Sequence, residues 1–114
     1  MNDYIFEVIL QTEYGENVVL IGDHESLGSW NAQSGIRLSY TANGEWKSST
    51  LTLPNSFRYN YCILDDRQPN RDPRLEPTPP RTIERKPSTH PIVLKDIWGK
   101  ESTTEIIKDK APLV

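Results

Sequence analysis

From Tyr4 to Gln11 apolar and polar residues alternate, with Phe6, Val8 and Leu10 on one face and Glu7 and Gln11 on the other. That period of two predicts a strand with one buried face. Tyr14-Gly15-Glu16-Asn17 has turn composition, and Asn17 to Ile21 follows as a short apolar strand, so the two together predict an early hairpin. Gly22 to Ser34 is dense in Gly, Ser, Asn and Asp and reads as irregular structure around Trp30. Ile36 to Ser39 is a short strand, and Asn43-Gly44 signals a type I′ turn, whose two central residues need positive φ. Trp46 to Leu53 alternates Ser49, Leu51 and Leu53 against Ser48, Thr50 and Thr52, and Pro54-Asn55 ends it in a turn. Phe57 to Leu64 carries the clearest alternation: Phe57, Tyr59, Tyr61 and Ile63 on one face, Arg58, Asn60 and Cys62 on the other.

The texture changes at Gln68. Seven of the nine prolines lie between Pro69 and Pro91, and proline cannot occupy a central ladder. An extended loop is expected there, with edge-strand pieces at Arg74 to Glu76 and Arg81 to Glu84. Ile92 to Ile97 is the last strand, ending at Trp98-Gly99. Residues 1–99 form the domain, and 100–114, polar around Ile106-Ile107, read as a tail or interdomain linker. No segment has a capped helical period, so a parallel β-α-β arrangement lacks its crossovers. The expected fold is all-β: an antiparallel, immunoglobulin-like β-sandwich of seven to eight strands.

Composition narrows the function. A chain of 114 residues with 35% apolar positions holds one domain with one core. Its net charge of −3 argues against nucleic acid as a partner, because phosphate contacts need a clustered basic surface. The longest apolar run is Val18-Val19-Leu20-Ile21, far short of a membrane span, and Met1-Asn2-Asp3-Tyr4 does not begin a signal peptide. One cysteine, Cys62, excludes an internal disulfide and suggests a cytoplasmic setting. His24, His90 and Cys62 have no ligand spacing, so neither a metal nor a cofactor is expected. Cys62 sits in a strand pattern as a small buried hydrophobe, and Asp65-Asp66 reads as a solvated loop.

The chain carries more large rings than a small sandwich core needs: three Trp, five Tyr and two Phe. Trp46, Tyr59, Tyr61 and Trp98 are core candidates. Trp30 and Tyr14 instead lie in loop-like segments. An exposed ring there can stack on the C–H face of a pyranose while amides and carboxylates take its hydroxyls; a ring tucked inward as a loop anchor is the alternative.

Tyr14-Gly15-Glu16-Asn17-Val18-Val19-Leu20-Ile21-Gly22 followed by Leu27-Gly28-Ser29-Trp30 resembles the front half of a starch-binding domain, carbohydrate-binding module family 20. The resemblance continues through Trp46, Leu51-Thr52-Leu53-Pro54, Phe57-Arg58-Tyr59-Asn60-Tyr61 and Lys95-Asp96-Ile97-Trp98, and so spans about residues 4–98. It implies a non-catalytic module that binds α-1,4-glucans. The family's first sugar site uses two tryptophans. Trp30 matches one, Leu75 stands where the other is usual, and Glu76 follows it. A lysine of that site matches Asn60, and the Asn-Arg pair after the Glu becomes Pro80-Arg81. The second site implies Tyr14, Asn17 and Tyr40. The implied partner is α-glucan polysaccharide or oligosaccharide, bound by a monomer or by part of a larger multidomain chain. Leu75 also leaves open a degenerate sugar site and a protein-interaction or regulatory role.

Overall fold

The computed structural model describes residues 1–108 and is an all-β sandwich. The strands in chain order are β1 (Asn2–Ile9), β2 (Glu16–Gly22), β3 (Ile36–Arg37), β4 (Ser39–Tyr40), β5 (Glu45–Lys47), β6 (Leu51–Leu53), β7 (Ser56–Asp65), β8 (Arg74–Leu75), β9 (Arg81–Glu84), β10 (Ile92–Ile97) and β11 (Lys100–Lys108). One sheet, A, runs β11-β10-β1-β5-β4, with β6 also pairing β1; the other, B, runs β3-β2-β7-β8, with β9 also pairing β7. Pairing is antiparallel except between β1 and β10, which run parallel with Tyr4 opposite Ile92 and Ile9 opposite Ile97. More strands appear than the seven to eight expected, because several are pieces of two or three residues separated by bends.

The early hairpin does not form. β1 lies in sheet A and β2 in sheet B, where β2 pairs with β3 and β7. Each strand meets the other across the core: Phe6 and Val8 from β1, Val18 and Leu20 from β2, in one buried cluster. The continuous apolar run of β2 has a further reason. Val19 and Ile21 point to the opposite face and join Ala32, Cys62 and Leu64 in a second buried cluster. A strand covered on both faces loses its polar alternation.

Residues 46–53 are not one strand either. Trp46 pairs with Val8, but Leu51 pairs with Tyr4, so the register slips by one residue between β5 and β6. This is a β-bulge. Ser48, on the polar side of a regular alternation, turns inward, where its hydroxyl accepts from the Phe6 N–H at 2.9 Å. The expected strand at 36–39 divides similarly, crossing from sheet B to sheet A at buried Leu38. Asn43 and Gly44 both have positive φ (54° and 79°), as the I′ signal requires. Beyond Gly99, residues 100–108 extend the sheet as β11, antiparallel to β10; the rest of the segment read as a tail, 109–114, lies outside the described residues.

Large rings form a chain through the core. Tyr4 meets Phe57 and Phe6 meets Tyr59, both edge-to-face with centroids 5.0 Å apart, and Tyr59 meets Tyr61 at 5.8 Å. Such contacts contribute about 0.5–1.5 kcal/mol each beyond the area they bury. Trp46 is buried and Trp98 packs against the same cluster. Cys62 is fully buried, and burial pushes its thiol pKa up to about 11.

Candidate functional site: an exposed tyrosine pair and a tryptophan loop

Tyr14 stands at the tip of the connection that carries the chain from sheet A to sheet B. The Glu16 N–H closes a tight turn on the Glu13 carbonyl at 3.0 Å, with Tyr14 and Gly15 at its centre. Gly15 has φ +91°, and a Cβ there would also strike the Arg67 side chain at 2.7 Å. Only glycine meets both demands. Arg67, lying against the turn, binds Asp65 at 2.8 Å and Glu13 at 3.5 Å. Its hydrogen bonds hold the Asp65 pKa down to about 2. The Asn17 amide braces the same turn, donating to Asp66 Oδ2 at 2.7 Å. On this support the Tyr14 side is 93% exposed.

Tyr40, 55% exposed, comes from the short strand β4. Its ring packs edge-on against Trp46 with centroids 5.4 Å apart, and its hydroxyl accepts from the Gly44 N–H at 3.3 Å. The I′ turn at Asn43-Gly44 therefore fixes the ring. Tyr14, Tyr40 and Trp46 line one open groove of ≈ 340 Å³, with Gln11, Thr12 and Glu13 supplying polar groups along it. The structure thus brings Tyr14 and Tyr40 together, while Asn17 acts on the turn beneath them.

Trp30 ends the 3-10 segment Glu25–Trp30, which with Ala32–Ser34 covers the outer face of sheet B. Leu27 plugs into the main core and Gly35 lies so close to Val19 and Ile21 that a Cβ would meet them at 2.7 and 2.9 Å. The His24 ring caps the segment by accepting from the Ser26 N–H at 3.0 Å. Gly28, Ser29 and Trp30 then run in succession at φ +79°, +49° and +68°. Two consecutive non-glycine residues in that region, one of them bulky, are strained, and strain of this kind concentrates at functional loops. The result holds Trp30 40% exposed. Leu75, 63% exposed, pairs with Cys62 and so projects from the same outer face of sheet B.

Asn60 and Glu76 have other tasks. Asn60, on β7 between Tyr59 and Tyr61, is buried. Its amide donates to the Thr78 carbonyl at 3.0 Å and accepts from Arg81 at 3.3 Å. Glu76 is buried in a double hydrogen bond with Arg81, both contacts 2.6 Å, and also accepts from the Tyr61 and Gly99 N–H groups. Both side chains thus hold internal partners in this structure. Both act by fixing the strand that carries Leu75.

Arg81 also faces Asp96, with Nε 3.2 Å from Oδ1, an ion-pair distance at an angle too oblique for a hydrogen bond. Asp96 accepts from the hydroxyls of Tyr59 (2.8 Å), Tyr61 (2.7 Å) and Thr104. Two buried carboxylates thus share one guanidinium, and three hydroxyls satisfy the second carboxylate, which burial of charge requires. No role for Asp96 or Thr104 was legible in the motifs alone. Asp96 had a signal: it occupies the inward position after Ile92 and Leu94 in an alternating strand.

The family model described as the starch binding domain matches residues 4–90. The chain belongs to the starch-binding domain family. A 4-alpha-glucanotransferase DPE2 of Oryza sativa subsp. japonica is 30% identical over 97 residues, covering 77% of this chain and 10% of the relative. A glucoamylase of Neurospora crassa is 34% identical over 65 residues, 53% of this chain and 10% of that protein. This starch-binding domain therefore spans about a tenth of those relatives' length. Among solved structures, the family 20 module of a maltotetraose-forming amylase from Pseudomonas saccharophila superposes with TM-score 0.68 at 17% identity, covering 84% of this chain and 99% of that one. Modules of this family bind and do not catalyse.

Proposed function

We propose that this starch-binding domain holds α-1,4-glucan chains such as starch, glycogen or maltooligosaccharides, and so keeps an attached or partner enzyme at its polysaccharide. The observation that carries the reading is the convergence of Tyr14 and Tyr40 on one groove. Two exposed rings there offer flat apolar surfaces for successive glucose units, and Gln11, Thr12 and Glu13 offer partners to their hydroxyls. Trp30 and Leu75, each exposed on the sheet B side, offer a second, weaker site, since Leu covers C–H groups without presenting a ring. One stacked ring contributes only about 1 kcal/mol beyond its buried area, so oligosaccharide affinity falls roughly between micromolar and millimolar.

Retention on insoluble starch, with cellulose as the control, tests this directly. The chain is expected to sediment with starch and stay in solution with cellulose. Failure to bind starch, in a protein shown to be folded, rules the reading out.

A further inference from the structure

The outer face of sheet A meets solvent and carries an ordered pattern that glucan binding does not use. Across four neighbouring strands runs the row Lys47, Glu7, Lys95, Glu105, each residue registered directly against the next. The charges alternate strictly. On one side of this row lie Ile5, Val93 and Ile107, again in register from β1 through β10 to β11. On the other side Ile9 pairs with Ile97, both well exposed, at the edge of a shallow hollow of ≈ 280 Å³.

We propose that this face docks a second copy of the same chain. An alternating row with an even number of charges is self-complementary about a two-fold axis that lies in the face, parallel to the strands, between β1 and β10. Under that operation β5 faces β11 and β1 faces β10. Lys47 then meets Glu105 of the second copy, and Glu7 meets its Lys95. The same axis sets Ile5 on Val93 and Ile9 on Ile97, so each apolar row covers its own counterpart. An isologous contact of this kind is the commonest closed assembly. Such a dimer presents two tyrosine grooves to one polymer. Strands about 4.8 Å apart give four of them a small contact, so the dimer belongs to the weak, transient class of interfaces.

Sedimentation equilibrium of the 114-residue chain at concentrations up to roughly 1 mM, where weak complexes populate, reads the association. Lys95→Glu places like charges opposite one another in the homodimer, and so does Glu7→Lys. Each is expected to weaken self-association at least tenfold. Mixing the two in equal amounts restores every opposed pair, so the mixture is expected to dimerise when neither variant does alone. A chain carrying both substitutions also keeps the complementarity and is expected to associate like the parent, which separates the docking effect from damage to the fold. A parent chain that stays monomeric throughout, leaving the face to a different domain, overturns the proposal. So does a mixture, or a folded double variant, that remains monomeric.

Discussion

Tyr14 is almost wholly in solvent, yet its turn is fixed by Gly15, Arg67 and Asn17, so its ring is presented without the entropy cost of ordering a loose loop. Tyr14→Ala is expected to weaken maltoheptaose binding about fivefold, the equivalent of one stacked ring. Trp30→Ala removes the one ring of the weaker surface and is expected to have a similar or smaller effect. Leu75→Trp supplies a second flat face on sheet B and is expected to strengthen binding. Calorimetric titration of the three variants checks all three directions; a Tyr14→Ala protein with unchanged affinity beside a Trp30→Ala protein with none reverses the assignment of the main surface. The core tyrosines make a different prediction. Burial foremost, with the Asp96 carboxylate adding, holds the Tyr59 and Tyr61 phenols protonated far above the ordinary value of 10.0. Unfolded, both ionise near 10.0. Unfolding therefore releases protons above that pH, and stability is lost as pH rises beyond it, with no such loss below. Tyrosinate absorbance followed against pH should show these two phenols ionising only as the fold opens.

At the scale of elements, the network around Arg81 ties β9 to β7, to the end of β8, and to β10 and β11. Glu76→Gln removes one charge of the buried double bond while keeping the side-chain size. Breaking a buried ion pair costs about 3–5 kcal/mol, which denaturant unfolding would register as a lower midpoint. Because Glu76 does not line the tyrosine groove, that groove should keep its affinity in this variant as long as the domain is folded. β11 takes part in the network through the Thr104 hydroxyl and the Lys100 carbonyl. A chain ending at Gly99 loses both and is expected to melt at a lower temperature than the full chain; an unchanged melting temperature would place the structural boundary of the domain before β11.

For the whole molecule, the two aromatic surfaces sit on different parts of the sandwich, one at the turn between the sheets and one on the outer face of sheet B. A long glucan that reaches both is held at the second by the effective concentration set at the first. Amylose is therefore expected to bind about tenfold or more tightly than maltoheptaose on a per-chain basis, and Tyr14→Ala should remove most of that difference. Binding isotherms with the polymer and the oligosaccharide, compared for the parent and the variant, decide it. Equal affinities in the parent mean that the surfaces work separately.

The strands were legible wherever one face met the core and the other met water. The alternation of 57–64, the edge piece at 81–84 and the strand at 92–97 all appear in the structure near their expected places, because side-chain period two is a local property. Asn43-Gly44 and Gly15 were legible for the same reason: turn backbone is decided by the residues in it. The family resemblance, carried by short motifs at kept spacing, likewise needed no coordinates. Which strand lies beside which did need them. β1 and β2 look like a hairpin in sequence, yet the apolar faces of both are buried best on opposite sides of one core. The fates of Asn60, Glu76 and Asp96 were also tertiary. A polar side chain on a strand reads as solvent-facing or ligand-facing until the fold brings Arg81 within reach and makes it structural. Sequence determined the local conformations and the family; long-range pairing of charges and layers decided which polar residues were left free to meet a sugar.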